Sequence, residues 1–335
     1  MKKSNLQGHV AMLFTSLIFA VNIPLSKNLM PDWMSPIGLT YSRFAFGAIA
    51  FWFFSLFLKS EKVTRKDMGT LFIGSFLGVG MNQAAFLTGL RLTSATNASI
   101  VITITPILVM VISFLILKEP ITFKKAGGVM IGLIGVLSII FTSEIAKSGH
   151  EASITGDFLC IISCLSYAFF LVLTRGISKR YSSVTIMKWM FLFSTLLFFP
   201  FGYKDVMSAK IFTEGTSLAW DSYIYLLVGA TFITYLLIPI AQRQIRPTTI
   251  GMYNYLQPLV ASFIAIMWGQ DTFSWTKPIP ALLIFIGVYF VTTSKSREDI
   301  EREHLPQLEK QAQDILQFCP ATEPSDTLKP GSKRL

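Results

Sequence analysis

The chain has 335 residues, of which 52% are hydrophobic and only 14% are charged. A soluble domain of this length carries about 25% charged residues, and so few polar side chains could not cover a water-soluble core. The net charge is +10, but the basic residues recur in short clusters between apolar runs, which does not indicate an anionic polymer as partner. The composition excludes an ordinary cytosolic enzyme and a nucleic-acid-binding module, and it predicts an all-α polytopic membrane protein.

The apolar runs predict ten transmembrane helices. A helix that crosses the roughly 30 Å core of a bilayer needs about 20 mostly apolar residues. Ten segments meet this requirement: residues 8–27, 36–58, 68–89, 95–117, 126–143, 158–177, 184–203, 222–241, 249–269 and 278–294. The basic start resembles a secretory signal, but the first apolar segment runs on through Lys27 towards the second and is interpreted as a retained helix.

The Lys and Arg residues of the loops are divided unequally between the two faces of the membrane. With Lys295 and Arg297 at the start of the tail included, sixteen lie on the face of the N-terminus and six on the opposite face. Since basic loops stay in the cytoplasm, the sequence predicts cytoplasmic termini and an integral protein of the plasma (inner) membrane. Residues 295–335 are polar and charged, and they are interpreted as a cytoplasmic tail with a disordered end.

The two halves of the chain share a spaced pattern of residues. An offset of 152 pairs Pro106 with Pro258, Glu119 with Asp271, Gly135 with Gly287, Val136 with Val288 and Arg91 with Arg243. Near the start of each half, an offset of 148 pairs Gly8 with Gly156, Ala20 with Ala168 and Lys27 with Arg175. Because each half has five spans, an odd number, the second half must enter the membrane from the opposite side. The sequence therefore predicts two inverted five-helix repeats, residues 1–143 and 156–294, joined by a linker at 144–155.

These residues resemble the drug/metabolite transporter superfamily, specifically its ten-helix EamA-type branch. The resemblance covers about residues 8–294 and rests on Asn22–Lys27, Arg43, Leu90–Ala95 with Ala98 and Ser99, Pro106, Lys118–Pro120 and Gly135–Val136. The Pro, Glu and Gly-Val pattern recurs in the second half, where Asp271 replaces the glutamate and no proline follows it. The resemblance implies a secondary transporter that moves small polar metabolites by alternating access, often an exporter of amino acids or related compounds.

Two basic residues lie well inside predicted spans, where an ionisable side chain is costly and usually faces a cavity. They are Arg43 and Lys188, and no acidic residue lies near the middle of a span. Buried cations without a carboxylate nearby favour a carboxylate-bearing or zwitterionic small-molecule substrate. Alternatively, each cation contacts backbone carbonyls or lipid phosphate, and the long side chain of Lys188 extends to the membrane interface.

Uncharged polar residues complete the predicted substrate-binding or gating set. Besides Arg43 and Lys188, the set contains Asn22, Asn82, Gln83, Tyr235, Tyr253, Asn254 and Gln257. Amides and phenols bind a zwitterion without a second buried charge, although each could instead bond across helices. Four prolines are expected to interrupt helices: Pro24, Pro106, Pro239 and Pro258.

Other residues give little indication of enzyme chemistry. The three His and three Cys residues are dispersed, so the sequence predicts no metal site, no cofactor and no enzyme activity. Cys160 and Cys164 are expected to pack, and Glu119 is expected to form an ion pair or helix cap at a loop end. The alternatives to a transporter are a non-transporting membrane subunit or receptor and, less favoured, an intramembrane lipid-modifying enzyme.

Overall fold

The structure is a computed structural model in which part of the chain is described. The described residues are 3–30, 32–93, 98, 101–142, 154–267 and 278–295. The chain divides into two compact units, Met1–Ser294 and Lys295–Leu335. Most of the predicted linker, Asp271, and all of the predicted tail except Lys295 lie outside the described residues.

In their described residues, all ten predicted spans contain helical structure. The first half contains α1 (Lys3–Leu29), α2 (Pro36–Ser55), α3 (Arg65–Gly74), a π-helical segment (Ser75–Met81), α4 (Asn82–Leu92), α5 (Thr105–Leu117) and α6 (Phe123–Thr142). The second half contains α7 (Ile154–Ser178), α8 (Ser183–Met207), the short α9 (Ile211–Glu214), α10 (Ser217–Leu227), a π-helical segment (Val228–Ile233), α11 (Thr234–Gln244), α12 (Pro247–Met252), a 3₁₀ turn (Tyr253–Tyr255), α13 (Leu256–Met267) and α14 (Pro278–Thr292). The described residues form no β-strand, and the predicted all-α polytopic fold is confirmed.

Six helical stretches are long and apolar enough to cross a membrane. They are Leu6–Leu29, Pro36–Ser55, Arg65–Leu92, Ile154–Ser178, Ser183–Glu214 and Ser217–Gln244. Two shorter apolar helices, α5 and Ala281–Thr292 within α14, also belong to the same unit. The protein is therefore an integral membrane protein, as its composition predicts.

Several helices begin where the sequence supplies a capping side chain. The Ser35 hydroxyl accepts the Gly38 N–H at 2.9 Å and Pro36 opens α2, while the Ser182 hydroxyl accepts the Thr185 N–H at 3.2 Å at the start of α8. These hydroxyls satisfy N–H groups that have no partner within the helix. The end of α5 is different, because Lys118 has a left-handed backbone with φ 53° and ends the helix before Glu119.

Two of the four prolines mark the interruptions in the spans. A turn at Thr103 and Ile104 precedes α5, in which Pro106 is the second residue, and the 3₁₀ turn precedes α13, in which Pro258 is the third. The prediction is wrong for Pro24 and Pro239, which lie inside the continuous helices α1 and α11. A proline within the first turn of a helix removes an N–H that needs no partner, so the chain breaks before it. Inside a membrane bundle, neighbouring helices compensate for the missing bond.

The helices pack across the two halves of the chain. Helix α1 packs against α11 and α13, and helix α7 packs against α4 and α5. Two further pairs are formed by α2 with α8 and by α6 with α14. The last pair needs glycines, because a Cβ atom on Gly287 would lie 2.6 Å from the carbonyl oxygen of Gly128. The space enclosed by α1, α2, α4, α5, α7, α11 and α13 contains the candidate site.

Candidate functional site

A polar cavity lies between these helices and combines residues of both halves. It encloses about 660 Å³ of empty space, a figure that includes the open space at its mouth. Seven of the nine predicted binding or gating residues line it: Asn22, Arg43, Asn82, Gln83, Tyr235, Asn254 and Gln257. The fold thus brings to one place polar residues that are up to 235 positions apart in the chain, as for Asn22 and Gln257.

The other two predicted residues do not line the cavity. The Lys188 ammonium lies over the ring of Trp52, 5.1 Å from its centroid, where the aromatic face stabilises the cation. The Tyr253 hydroxyl bonds Nδ1 of His9 at 2.8 Å. The backbone carbonyl of Tyr253 accepts a bond of 3.0 Å from the Ser16 hydroxyl, so this residue holds the 3₁₀ turn against α1.

Arg43 is the most deeply buried charge at the cavity, with a residue exposure of 3%. Its Nε donates to the Thr231 hydroxyl at 2.8 Å, and its Nη2 donates to the Ala230 carbonyl at 2.9 Å. A longer contact of 3.4 Å joins Nη1 to Oδ1 of Asn22. All these acceptors are neutral, and in the described part of the chain no carboxylate pairs with this guanidinium. A buried cation without a counter-ion is an attractive position for an anion.

Two π-helical segments position the polar groups near Arg43. Ala230 and Thr231 belong to the segment Val228–Ile233, so both of the shorter Arg43 bonds reach that segment. The other segment, Ser75–Met81, provides the Gly78 carbonyl, which accepts the Tyr235 hydroxyl at 3.3 Å. Wide turns of this kind depart from the regular α-helical bonding pattern and are frequent at functional sites.

Gln83 and Tyr235 meet directly in the cavity wall. Gln83 donates from Nε2 to the Tyr235 hydroxyl at 3.0 Å, and both side chains are buried. The carbonyl oxygen of Gln83 and the hydroxyl of Tyr167 have no hydrogen-bond partner among the described residues. Both groups therefore remain available to a ligand.

Helix α7 contributes cavity residues that the sequence analysis missed. Ser163, Cys164 and Tyr167 line the cavity, and Asn82 donates to the Ser163 hydroxyl at 2.9 Å. Cys164 was expected only to pack, yet its thiol also lies 3.8 Å from the Val101 carbonyl. The 148-residue offset relates Tyr167 to Phe19, another cavity residue, so the repeat contained a signal for this wall.

A second buried cluster surrounds Glu119 in the loop between α5 and α6. The Lys125 ammonium lies 3.2 Å from one carboxylate oxygen, Arg175 bonds the other oxygen, and the Thr248 hydroxyl donates at 3.3 Å. Burial alone raises the pKa of the Glu119 carboxyl, but Lys125 and Arg175 outweigh burial and hold that pKa below its usual value. The predicted loop-end ion pair is therefore present, and it connects the two halves of the chain.

Comparison with known proteins identifies the family. The sequence pattern of the EamA-like transporter family matches residues 6–141 and, a second time, residues 154–293. The chain belongs to the EamA-like transporter family. The resemblance found in the sequence is thereby confirmed, and membership in this family indicates a membrane transporter rather than an enzyme.

Individual relatives agree with this membership. The uncharacterized transporter YetK of Bacillus subtilis is 25% identical over 236 residues, which cover 70% of this chain and 71% of that protein. The S-adenosylmethionine/S-adenosylhomocysteine transporter of Chlamydia muridarum is 23% identical over 279 residues, 81% of this chain and 86% of that protein. A crystal structure of a protein with 16% identity matches the fold with a TM-score of 0.65 and covers 86% of this chain and 96% of its own.

Proposed function

We propose that this EamA-family protein is a secondary transporter that moves small carboxylate-bearing or zwitterionic metabolites across the membrane by alternating access. The observation that carries the proposal is the Arg43 guanidinium, which is buried at the cavity and whose acceptors among the described residues are all neutral. A guanidinium offers a planar pair of donors that fits a carboxylate. A substrate carboxylate would supply the counter-ion that the described residues do not.

The zwitterionic form of the substrate is supported by one relative and by the cavity. S-adenosylmethionine and S-adenosylhomocysteine, which the Chlamydia muridarum relative is named for, both carry an amino group beside a carboxylate. Around Arg43 the cavity offers amide and phenol groups, among them those of Gln83 and Tyr235. Such groups bind the amino end of a zwitterion without a buried carboxylate.

Many transporters that work by alternating access are built from two related halves, and we infer that residues 1–143 and 156–294 are inverted repeats. The family pattern matches each half once. The packing supports a two-fold relation. The offsets make α7 the counterpart of α1, α11 the counterpart of α4 and α13 the counterpart of α5. Helix α1 packs on α11 and α13, and α7 makes the matching contacts with α4 and α5. The pairs α2 with α8 and α6 with α14 each join a helix to its own counterpart.

Individual hydrogen bonds support the same relation. Ser16 donates to the Tyr253 carbonyl at 3.0 Å, and Cys164 approaches the Val101 carbonyl at 3.8 Å. The 148-residue offset relates the two donors, Ser16 and Cys164. The 152-residue offset relates the residues of the two acceptors, Val101 and Tyr253. Contact between Gln83 and Tyr235, which are separated by the 152-residue offset, is expected of residues near a two-fold axis.

We further infer that both termini face the cytoplasm of the plasma (inner) membrane, because the basic loops lie on the face of the N-terminus. The Glu119 cluster would then close the cytoplasmic end, since it joins Arg175 and Thr248 of the second half to the first. Reporter fusions after residues 64 and 212 test this orientation. An external signal at the first position or an internal signal at the second would contradict it.

Counterflow in proteoliposomes tests the transport function. Purified protein is reconstituted in vesicles loaded with one unlabelled carboxylate or zwitterion, and uptake of the same labelled compound is measured over a panel of amino acids and organic acids. We expect counterflow for at least one member, and its loss in Arg43→Ala. Lys188→Met is the matched control, because Lys188 is an intramembrane cation that does not line the cavity. A receptor or subunit would bind a ligand without counterflow, and that result would contradict the proposal.

A further inference from the structure

We propose that the Gln83 carbonyl oxygen and the Tyr167 hydroxyl form a second recognition point, which binds a hydrogen-bond donor on the carbon atom next to the substrate carboxylate. This inference deepens the proposed function and rests on it. Gln83 and Tyr167 are 5% and 9% exposed, and both line the cavity. Five buried side-chain polar atoms in the described ranges have no partner, and of these only the Gln83 Oε1 and Tyr167 hydroxyl atoms belong to cavity-lining residues.

The neighbouring tyrosine determines which atom of Gln83 is free. The Gly78 carbonyl only accepts hydrogen bonds, so the Tyr235 hydroxyl must donate its proton to Gly78. Tyr235 therefore accepts from Gln83, and the group of Gln83 that faces it is the amide NH₂. The carbonyl oxygen of Gln83 is left without a partner among the described residues. It is an acceptor only, so it requires a donor from the ligand.

The two recognition points have complementary chemistry. Arg43 only donates and suits a carboxylate, whereas the free oxygen of Gln83 only accepts and suits an N–H or O–H group. The Tyr167 hydroxyl has no partner in the described chain and can rotate its proton away to accept a second bond from the same group.

Tyr235 connects the two points. Its hydroxyl bonds Gln83 at 3.0 Å, and Thr231, which accepts a bond of 2.8 Å from Arg43, lies about one helical turn before Tyr235. The carboxylate point and the donor point thus lie beside one residue, which fits a ligand whose donor is on the carbon next to its carboxylate. Phe19, Phe86 and Leu87 provide an apolar wall for the remainder of the molecule.

The test uses three probes that differ at one position: leucine, 2-hydroxy-4-methylpentanoate and 4-methylpentanoate. They carry an amino group, a hydroxyl group and no donor, respectively, next to the same carboxylate. Binding to the purified full-length protein is measured by calorimetry. We expect leucine or the hydroxy acid to bind the wild type at least about tenfold more tightly than 4-methylpentanoate, which is the ratio expected for one buried hydrogen bond.

Tyr167→Phe is the informative variant. It removes a hydroxyl that bonds no described residue, so the variant should fold and retain its thermal stability. We expect it to reduce the preference for the donor-bearing probe about tenfold while the affinity for 4-methylpentanoate stays unchanged. Gln83→Met, which removes the acceptor at similar length, should have the same selective effect. Tyr255→Phe is the control, because its hydroxyl contacts the Val129 carbonyl and the residue does not line the cavity.

The outcomes separate this inference from the proposed function. Equal binding of all three probes to the wild type would overturn the second recognition point and leave the carboxylate site intact. A preference that survives in both Tyr167→Phe and Gln83→Met would also overturn it. Failure of every probe to bind a well-folded wild type would contradict the carboxylate site itself, and with it this inference.

Discussion

The Glu119 cluster and the Arg43 site both bury ionic groups, but they compensate charge in different ways. The Glu119 carboxylate lies between Lys125 and Arg175, so its charge is balanced within the protein. The Arg43 guanidinium has three neutral acceptors. Since an uncompensated buried charge is costly, the paired Glu119 carboxylate is compensated without a ligand, whereas the proposed substrate carboxylate would compensate Arg43.

The largest expected effect follows from breaking the balanced cluster. Glu119→Gln keeps the shape of the side chain but leaves Lys125, which is 1% exposed, without its carboxylate. Loss of one partner of a buried pair costs about 3–5 kcal/mol of folding free energy. We expect a decrease of this size in the free energy of unfolding in detergent. Asp32→Asn, which changes an exposed carboxylate, should have an effect below about 0.5 kcal/mol. Equal stability of the two variants would contradict the role of the cluster.

The same cluster predicts a pH dependence. The pKa of Glu119 is lowered in the folded protein from its ordinary value of 4.5. A lowered pKa stabilises the fold above the unfolded pKa, and this contribution is lost as the pH falls through the folded pKa. The difference in unfolding free energy between wild type and Glu119→Gln should therefore be full at pH 7 and shrink below about pH 4.5. A difference that grows on acidification would contradict the assigned ion pairs.

Substitution of the uncompensated cation by another cation has a smaller effect. Arg43→Lys keeps the charge but replaces two planar donors with one compact ammonium. We expect about a tenfold loss of counterflow, since roughly one charge-assisted hydrogen bond is lost. Expression and thermal stability should stay near those of the wild type. Full activity of this variant would show that only the charge of Arg43 matters, not its fork geometry.

A still smaller effect is expected when one acceptor of Arg43 is removed. Thr231→Val keeps the shape of the side chain but deletes the hydroxyl that accepts from Nε at 2.8 Å. Loss of one such bond costs about 1 kcal/mol, so we expect weaker positioning of Arg43 and about fivefold lower affinity for the transported probe. Thr40→Val, which removes a buried hydroxyl that donates to the Pro36 carbonyl at 2.7 Å and to no acceptor of Arg43 among the described residues, is the control. A larger effect in the control than in Thr231→Val would contradict the assignment.

Much of the fold was predictable because the bilayer sets simple requirements. Helices that cross a membrane must be long and apolar, so the apolar segments that form the helices could be recognised from the sequence. Arg43, Asn82 and Gln83 were predicted as site residues for a related reason, since polar groups in a span must face protein or a cavity. The interruptions before Pro106 and Pro258 follow from the missing N–H of proline.

The rest of the site depends on helix rotation, which composition does not encode. Tyr167 and Cys164 line the cavity because of the way α7 packs on α4 and α5. Tyrosine and cysteine are equally compatible with a purely packed position, so the residue types alone do not predict a place in the cavity. Lys188 lies inside a predicted span as Arg43 does, yet the rotation of α8 places it over Trp52. Pro24 and Pro239 lie inside α1 and α11, which continue through them, and the sequence does not show whether a proline falls in the first turn of a helix or in its interior.

The most direct test of the account is the affinity of the transported probe for Arg43→Ala and for Lys188→Met, measured by calorimetry on purified, well-folded protein. A lost charge-assisted hydrogen bond is worth about 1.5–3 kcal/mol, which corresponds to roughly 10- to 150-fold in affinity. We expect a loss of this size in Arg43→Ala and wild-type affinity in Lys188→Met, since Arg43 lines the cavity and Lys188 does not. Wild-type affinity in Arg43→Ala would contradict the claim that the uncompensated guanidinium binds the substrate.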